Sequence, residues 1–149
     1  MNREAFCHTC REHGIKVTPQ RTAIYEIVTG MKDHPSATDV YDIVRKRFPN
    51  ISFDTVNRTL LSFVDIGLLC RVPGSGEVRR FDLNLNPHHH ARCVACNRII
   101  DIAAPELDHL PVPESIRQHR VAGHKVVFDI VCDHCLEQDG THGGNHQAG

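Results

Sequence analysis

The sequence predicts an α+β fold in two parts: a helical first half closed by a hairpin, and a small α/β second half held by metal. Three observations predict it. Three stretches with apolar residues at helical spacing, each opened by a capping residue, lie between Thr18 and Gly67. Two short strand-like runs on either side of Pro73-Gly74-Ser75-Gly76 follow at once. Beyond them stand two C-x-x-C pairs, Cys93-Val-Ala-Cys96 and Cys132-Asp-His-Cys135, with 35 residues between. The expected division is 1–82, 83–137 and a tail of 138–149.

Thr18-Pro19 opens the first of these helices, with Thr as N-cap and Pro at the first helical position, where its missing N–H is one of the orphans anyway. Ile24, Ile27 and Val28 then give helical spacing up to Gly30. After His34-Pro35, Ser36 caps a second helix through Val40, Tyr41, Val44 and Phe48. Ser52 opens a third, with Phe53, Val56, Leu60, Phe63 and Val64 on one face and Gly67 where a C′ glycine belongs. Leu68–Val72 and Glu77–Asp82 flank the Pro-Gly turn as a hairpin. Helices followed by such a hairpin make a winged helix-turn-helix. In the second half, Ala91–Cys93 and Ile99–Ile102 read as a hairpin around the first cysteine pair, and Glu114–His119 as a short helix. His124–Val131 reads as a strand with His124, Val126, Phe128 and Ile130 on one face. From Gln138 the chain is rich in Gly and His and reads as disordered.

No apolar run of 18 residues exists, so no membrane span is expected. Met1–Gly14 has no apolar stretch of the secretory kind. With seven cysteines, an odd number grouped as C-x-x-C, the expected setting is a reducing cytoplasm with metal thiolates rather than disulfides. The net charge of −1 hides an asymmetry. Residues 1–80 carry 12 Lys/Arg and 9 Asp/Glu, whereas residues 81–149 carry 5 and 9. Nine of the twelve histidines follow position 80. A basic half joined to an acidic, His/Cys-rich half points to nucleic acid on one side and cations on the other.

Cys93, Cys96, Cys132 and Cys135 suit a tetrahedral four-thiolate zinc, a closed structural site with no open position for catalysis. Such a site contributes roughly 10–16 kcal/mol of apparent binding to folding. Beside it lies His88-His89-His90. His88 and His90 are two apart and share a face on an extended segment. On the third helix, Thr55, Asn57, Arg58, Thr59 and Ser62 lie opposite the apolar face. They are polar and mostly short, as a helix in a major groove requires, although a solvated face has the same composition.

In order, these features resemble the ferric uptake regulator superfamily over about residues 10–136. The carriers are the winged helix, Arg80-Phe81-Asp82, His88-His89-His90 with Cys93-x-x-Cys96, Ile99-Ile100-Asp101 and Cys132-x-x-Cys135. The resemblance implies a dimeric, metal-dependent transcription repressor of the cytoplasm, not an enzyme. It implies an N-terminal winged helix on double-stranded DNA and a C-terminal dimerisation domain with structural zinc. It implies a regulatory Fe(II) or Mn(II) held by His34, Asp82, His88, His90 and Asp101, a set harder than thiolate. His89, Asp108 and His124 fall near a further exchangeable metal site of some members, but Pro87 stands where another His is common. For DNA it implies Arg58 and Asn57 at base edges with Thr55 assisting, Lys16 in the minor groove, and Arg79 and Arg80 on phosphates.

The branch of the family is read from the ligands. No cysteine lies between Asp82 and His90, which argues against zinc sensing. Three histidines with two aspartates resemble the peroxide-sensing branch; the alternative is a ferrous-iron sensor. Two departures stand out. Asp54-Thr55-Val56-Asn57-Arg58 has Asn57 where the family commonly has Tyr, and Asn can pair with adenine. Cys7 and Cys10 form an additional pair that reads as a redox couple, a further metal site or two helix-face cysteines without a role, and Cys70 is expected to pack in the wing. Outside the family, the rivals are a non-haem iron enzyme built on two histidines and a carboxylate, and a zinc-stabilised interaction module.

Overall fold

Capping side chains decide where the helices of the first half begin. The computed structural model describes residues 3–73 and 78–140, and the chain divides into two units, Met1–Pro87 and His88–Gly149. The first carries α1 (Arg3–Glu12), α2 (Pro19–Gly30), α3 (Ala37–Arg47) and α4 (Phe53–Asp65). The Thr18 hydroxyl accepts from the Arg21 N–H at the start of α2. Ser36 and Asp39 form a reciprocal capping box on α3, with Ser36 N–H on the Asp39 carboxylate at 2.8 Å and Asp39 N–H on the Ser36 hydroxyl at 3.2 Å. Ser52 accepts from the Thr55 N–H at 3.1 Å to open α4. That helix ends as expected at Gly67, whose φ of 72° lets Gly67 N–H reach Val64 O and Leu68 N–H reach Phe63 O.

Three aromatic rings join α1, α2 and α4. Phe6 stacks on Tyr25 at 4.3 Å and meets Phe63 edge-on at 5.6 Å. Phe6 and Phe63 are wholly buried, and rings of this kind contribute about 1.5–3 kcal/mol each by burial. Val56, Leu60 and Phe63 turn inward from α4. Phe53, expected on the same face, is instead 44% exposed and meets the Tyr41 ring edge-on, because it opens the helix at the margin of the core.

The wing is shorter than the sequence suggests. Antiparallel β1 (Cys70–Arg71) and β2 (Phe81–Asp82) pair Cys70 with Asp82 and Arg71 with Phe81. Leu68 and Leu69 join the helical core rather than the ladder. The Gly74-Ser75-Gly76 turn and Glu77 lie outside the described residues.

The second unit is a three-stranded sheet in the order β4-β3-β5, formed by β3 (His89–Cys93), β4 (Ile99–Ile102) and β5 (Val127–Ile130). β3 runs antiparallel to β4 and parallel to β5. The connection between β4 and β5 holds two single 3₁₀ turns, Pro105–Leu107 and Glu114–Ile116. The helix expected over Glu114–His119 is only the second of these. Its cap is Pro113, which has no side-chain acceptor, and the turn buries no residue that would carry it further. The strand expected from His124 begins at Val127, since the His124 ring nitrogen is engaged with the Leu107 carbonyl. The first three residues of the expected tail, 138–140, lie within α5 (Asp133–Gly140), and 141–149 are outside the described residues. No helix among the described residues is long and apolar enough to cross a membrane.

Candidate metal centres and nucleic-acid face

The four knuckle cysteines converge. Cys93 closes β3, and the turn after it folds back through Asn97, at φ 59°, whose N–H bonds Cys93 O at 2.8 Å. Cys132 precedes α5 and Cys135 lies in its first turn. The sulfurs of Cys93 and Cys135 are 3.8 Å apart, as are those of Cys96 and Cys132. A tetrahedron with Zn–S bonds near 2.3 Å has edges of about 3.8 Å. The spacing fits zinc and excludes disulfides, whose sulfurs sit about 2.0 Å apart. Backbone amides of Cys132 and Cys96 draw the Cys93 thiol down to about 6. The Cys132 and Cys96 sulfurs push the Cys135 thiol up, which is the crowding that a dication relieves. A four-thiolate zinc site and harder imidazole-carboxylate groups are thus the metal-binding equipment of this chain.

The harder donors form one group within each unit. In the first, His34 Nε2 lies 3.5 Å from Asp82 Oδ2. In the second, Asp101 Oδ1 lies 3.4 Å from His88 Nε2 and 3.5 Å from His90 Nε2, and the two imidazoles are 4.4 Å apart. The β3–β4 register, which pairs His90 with Asp101, brings these side chains together. Neighbouring ligands around an ion with bonds of about 2.1 Å are separated by roughly 3.0–3.4 Å. The observed separations of 3.4–3.5 Å lie at the wide end of that range, so small side-chain shifts would bring these donors onto a divalent cation.

The His34 backbone is unusual. Asp33 and His34 have φ of 63° and 52°, both left-handed, and His34 precedes a proline that narrows its choices further. Residues held there cost on the order of 1–3 kcal/mol each and persist only where neighbours fix them. The neighbours are at the start of β2. Arg80 Nη1 donates to His34 O at 3.1 Å, Phe81 N–H donates to Pro35 O at 3.0 Å, and Ser36 bridges to Arg80. Arg80, expected among the phosphate contacts, thus has one guanidinium nitrogen engaged with the loop.

His89, Asp108 and His124 are neighbours. His89 Nδ1 accepts from the Val126 N–H, which leaves Nε2–H to donate to Asp108 at 3.1 Å. The His124 ring stacks on His89 at 5.8 Å, with its Nε2 on the Leu107 carbonyl rather than toward Asp108.

On α4, Thr55 and Arg58 are exposed and Asn57 is half-buried. Arg58 reaches Asp54 at 3.7 Å, an exposed pair worth little. A groove of about 270 Å³ is lined by Arg58, Thr55, Thr59 and Ser62 of α4 and by Arg21 of α2. Sequence reasoning passed over Arg21. Its signal was a cation in the first turn of a helix, where the dipole disfavours it. Its Nη1 donates to Lys16 O at 2.7 Å, tethering exposed Lys16 to the same helix. Cys7 is half-buried and Cys10 buried on α1, while the Cys70 thiol donates to Asn84 O.

A sequence model of the ferric uptake regulator family matches residues 12–130. The peroxide-responsive repressor of Staphylococcus epidermidis is 34% identical over 132 residues, covering 86% of this chain and 86% of that protein. Among solved structures, the Helicobacter pylori ferric uptake regulator is similar with a TM-score of 0.72 at 21% identity, covering 89% of this chain and 90% of that one. The peroxide-sensing regulator of Streptococcus pyogenes is similar at 26% identity with a TM-score of 0.51, covering 89% and 91%. With a winged helix, a four-thiolate centre and a match along most of its length, this chain belongs to the ferric uptake regulator family.

Proposed function

We propose that this chain is a metal-dependent transcriptional repressor that acts as a cytoplasmic homodimer on double-stranded DNA and senses peroxide through Fe(II), with Mn(II) as the unreactive alternative. The observation that carries the metal dependence is the pair of ligand sets, His34 with Asp82 in the first unit and His88, His90 and Asp101 in the second. Their imidazole and carboxylate donors suit Fe(II) and Mn(II). The reading assigns all five to one ion. An ion that favours the DNA-binding arrangement by roughly 5.5 kcal/mol moves that arrangement from about 1% to 99% of the population. A regulator, rather than an enzyme, is the reading that family membership supports.

The DNA reading rests on α4. Arg58 and Asn57 take base edges, Thr55 assists, Lys16 enters the minor groove, and exposed Arg79 contacts phosphate. The dimer reading rests on the sheet of the second unit. Ala91 is flanked in register by Ile100 and Phe128, 37% and 45% exposed, and β5 is an edge strand. A second copy covers this face. Phe128→Asp is expected to shift sedimentation from dimer to monomer; an unchanged dimer would place the interface elsewhere.

Peroxide sensing is supported by the aspartate pair and by the peroxide-responsive relatives. Fe(II), when bound, supplies electrons to peroxide. The residues would then decide what is marked: His34 and His88 would hold the ion through their imidazoles, and on one of them a C–H bond would become C–OH at the expense of one peroxide, whose other oxygen leaves as water, so that the iron regains the electrons it lent. Mass spectrometry after mild peroxide should show that single-oxygen gain in protein loaded with Fe(II) and none in protein loaded with Mn(II), whose DNA complex should persist. If neither His34 nor His88 is modified and DNA binding survives, the chain is an iron sensor.

A further inference from the structure

We propose that Arg80 is a positioning residue for the regulatory metal, acting on His34 through the peptide carbonyl rather than on DNA. The inference rests on the reading of His34 as a ligand. Two consecutive left-handed residues, Asp33 and His34, hold the loop before Pro35 in a shape that it does not keep unaided. The segment that restrains it is Arg80-Phe81-Asp82. Alternate residues of an extended segment face one way, so Arg80 and Asp82 turn toward the loop together. Arg80 takes the His34 carbonyl at 3.1 Å, and Asp82 lies 3.5 Å from the His34 imidazole. Phe81 between them is wholly buried and binds the Pro35 carbonyl through its own N–H, which fixes the clasp to the core. Backbone and side chain of His34 are thus set by residues 80 and 82 of one strand end. Arg79, on the other side of that strand end and exposed, is the phosphate partner.

The test uses the full chain with zinc retained and Mn(II) as probe, for wild type, His34→Ala, Arg80→Lys, Arg80→Gln and Arg80→Met. Lys and Gln keep a donor, whereas Met keeps the stem alone. Residues that orient metal ligands typically govern about 10–100-fold in affinity. Arg80→Met should therefore weaken Mn(II) about tenfold or more, with Arg80→Lys within about threefold of wild type and Arg80→Gln between. Zinc content should not change. With Co(II) in place of Mn(II), the visible d–d bands should shift in Arg80→Met and return in Arg80→Lys. Wild-type affinity in Arg80→Met, or equal loss in all three, overturns the proposal. If Arg80→Met does not fold, a tenfold loss in both Lys and Gln variants overturns it. If His34→Ala binds Mn(II) as wild type does, the ligand reading itself fails, and the proposal with it.

Discussion

Cys96→Ser is expected to empty the four-thiolate centre and unfold the second unit while the first stays folded. The two units have very different cores. The first buries a continuous cluster running from Phe6 to Phe81, whereas the second buries three of its thiolates with Ile130 against them and, besides these, only a few side chains such as Ala91, Ile99, His89 and His90 among the described residues. Zinc is therefore the larger part of what holds the second unit, and its apparent contribution of roughly 10–16 kcal/mol exceeds the stability of many whole domains. Cys96 is the exposed member of the four, so its replacement opens no cavity and the loss is assignable to the metal. Zinc content should fall from one per chain to near zero. Hydrogen exchange should lose protection in β3, β4 and β5 and keep it in α1–α4. A Cys96→Ser protein that retains zinc and its sheet would refute the assignment.

Arg58→Ala should cost about 1–3 kcal/mol at the cognate operator, with loss of preference at the base it reads. The side chain is 77% exposed, and its ion pair to Asp54, at 3.7 Å, is of the exposed kind. Exposed pairs of that spacing contribute about 0.3–0.5 kcal/mol, so the fold should be unaffected. Arg79→Ala should instead weaken all sequences alike and reduce the salt slope by about one. Titration against operator and scrambled duplexes at two salt concentrations separates the two effects. Unchanged operator affinity in Arg58→Ala would mean that α4 is not the reading helix.

The helices of the first unit were legible because their signals are local. Thr18, Ser36 and Ser52 each cap within three residues, and Gly67 ends α4 by its own backbone freedom. The two thiolate pairs were legible because zinc fixes both ligand type and spacing. What the sequence hid is set by tertiary contact. Nothing in Asp33-His34-Pro35 announces two left-handed residues, since the restraint comes from Arg80 and Phe81, 46 positions away in the case of Arg80 and His34. Arg80 looked like a surface cation because charge alone says nothing of direction. The strands were overextended for a related reason: the apolar run Leu68-Leu69-Cys70 also suits residues that enter a helical core, and Leu68 and Leu69 do so. The last helix was missed because its eight residues carry little apolar periodicity.

The parallel pairing of β3 with β5 has a consequence for the order in which the chain acquires its structure. Every parallel neighbour must be reached by a crossover, and here the crossover carries no α-helix to shorten the search. The helices of the first unit form on hydrogen bonds four residues apart, whereas the sheet of the second waits on loop closure across the segment from Cys93 to Ile130. A metal ion that captures the first thiolate pair tethers the second pair to it and bypasses part of that search. The rate at which the second unit folds is thus expected to rise with the zinc available to the chain, apart from any role zinc has in the finished molecule.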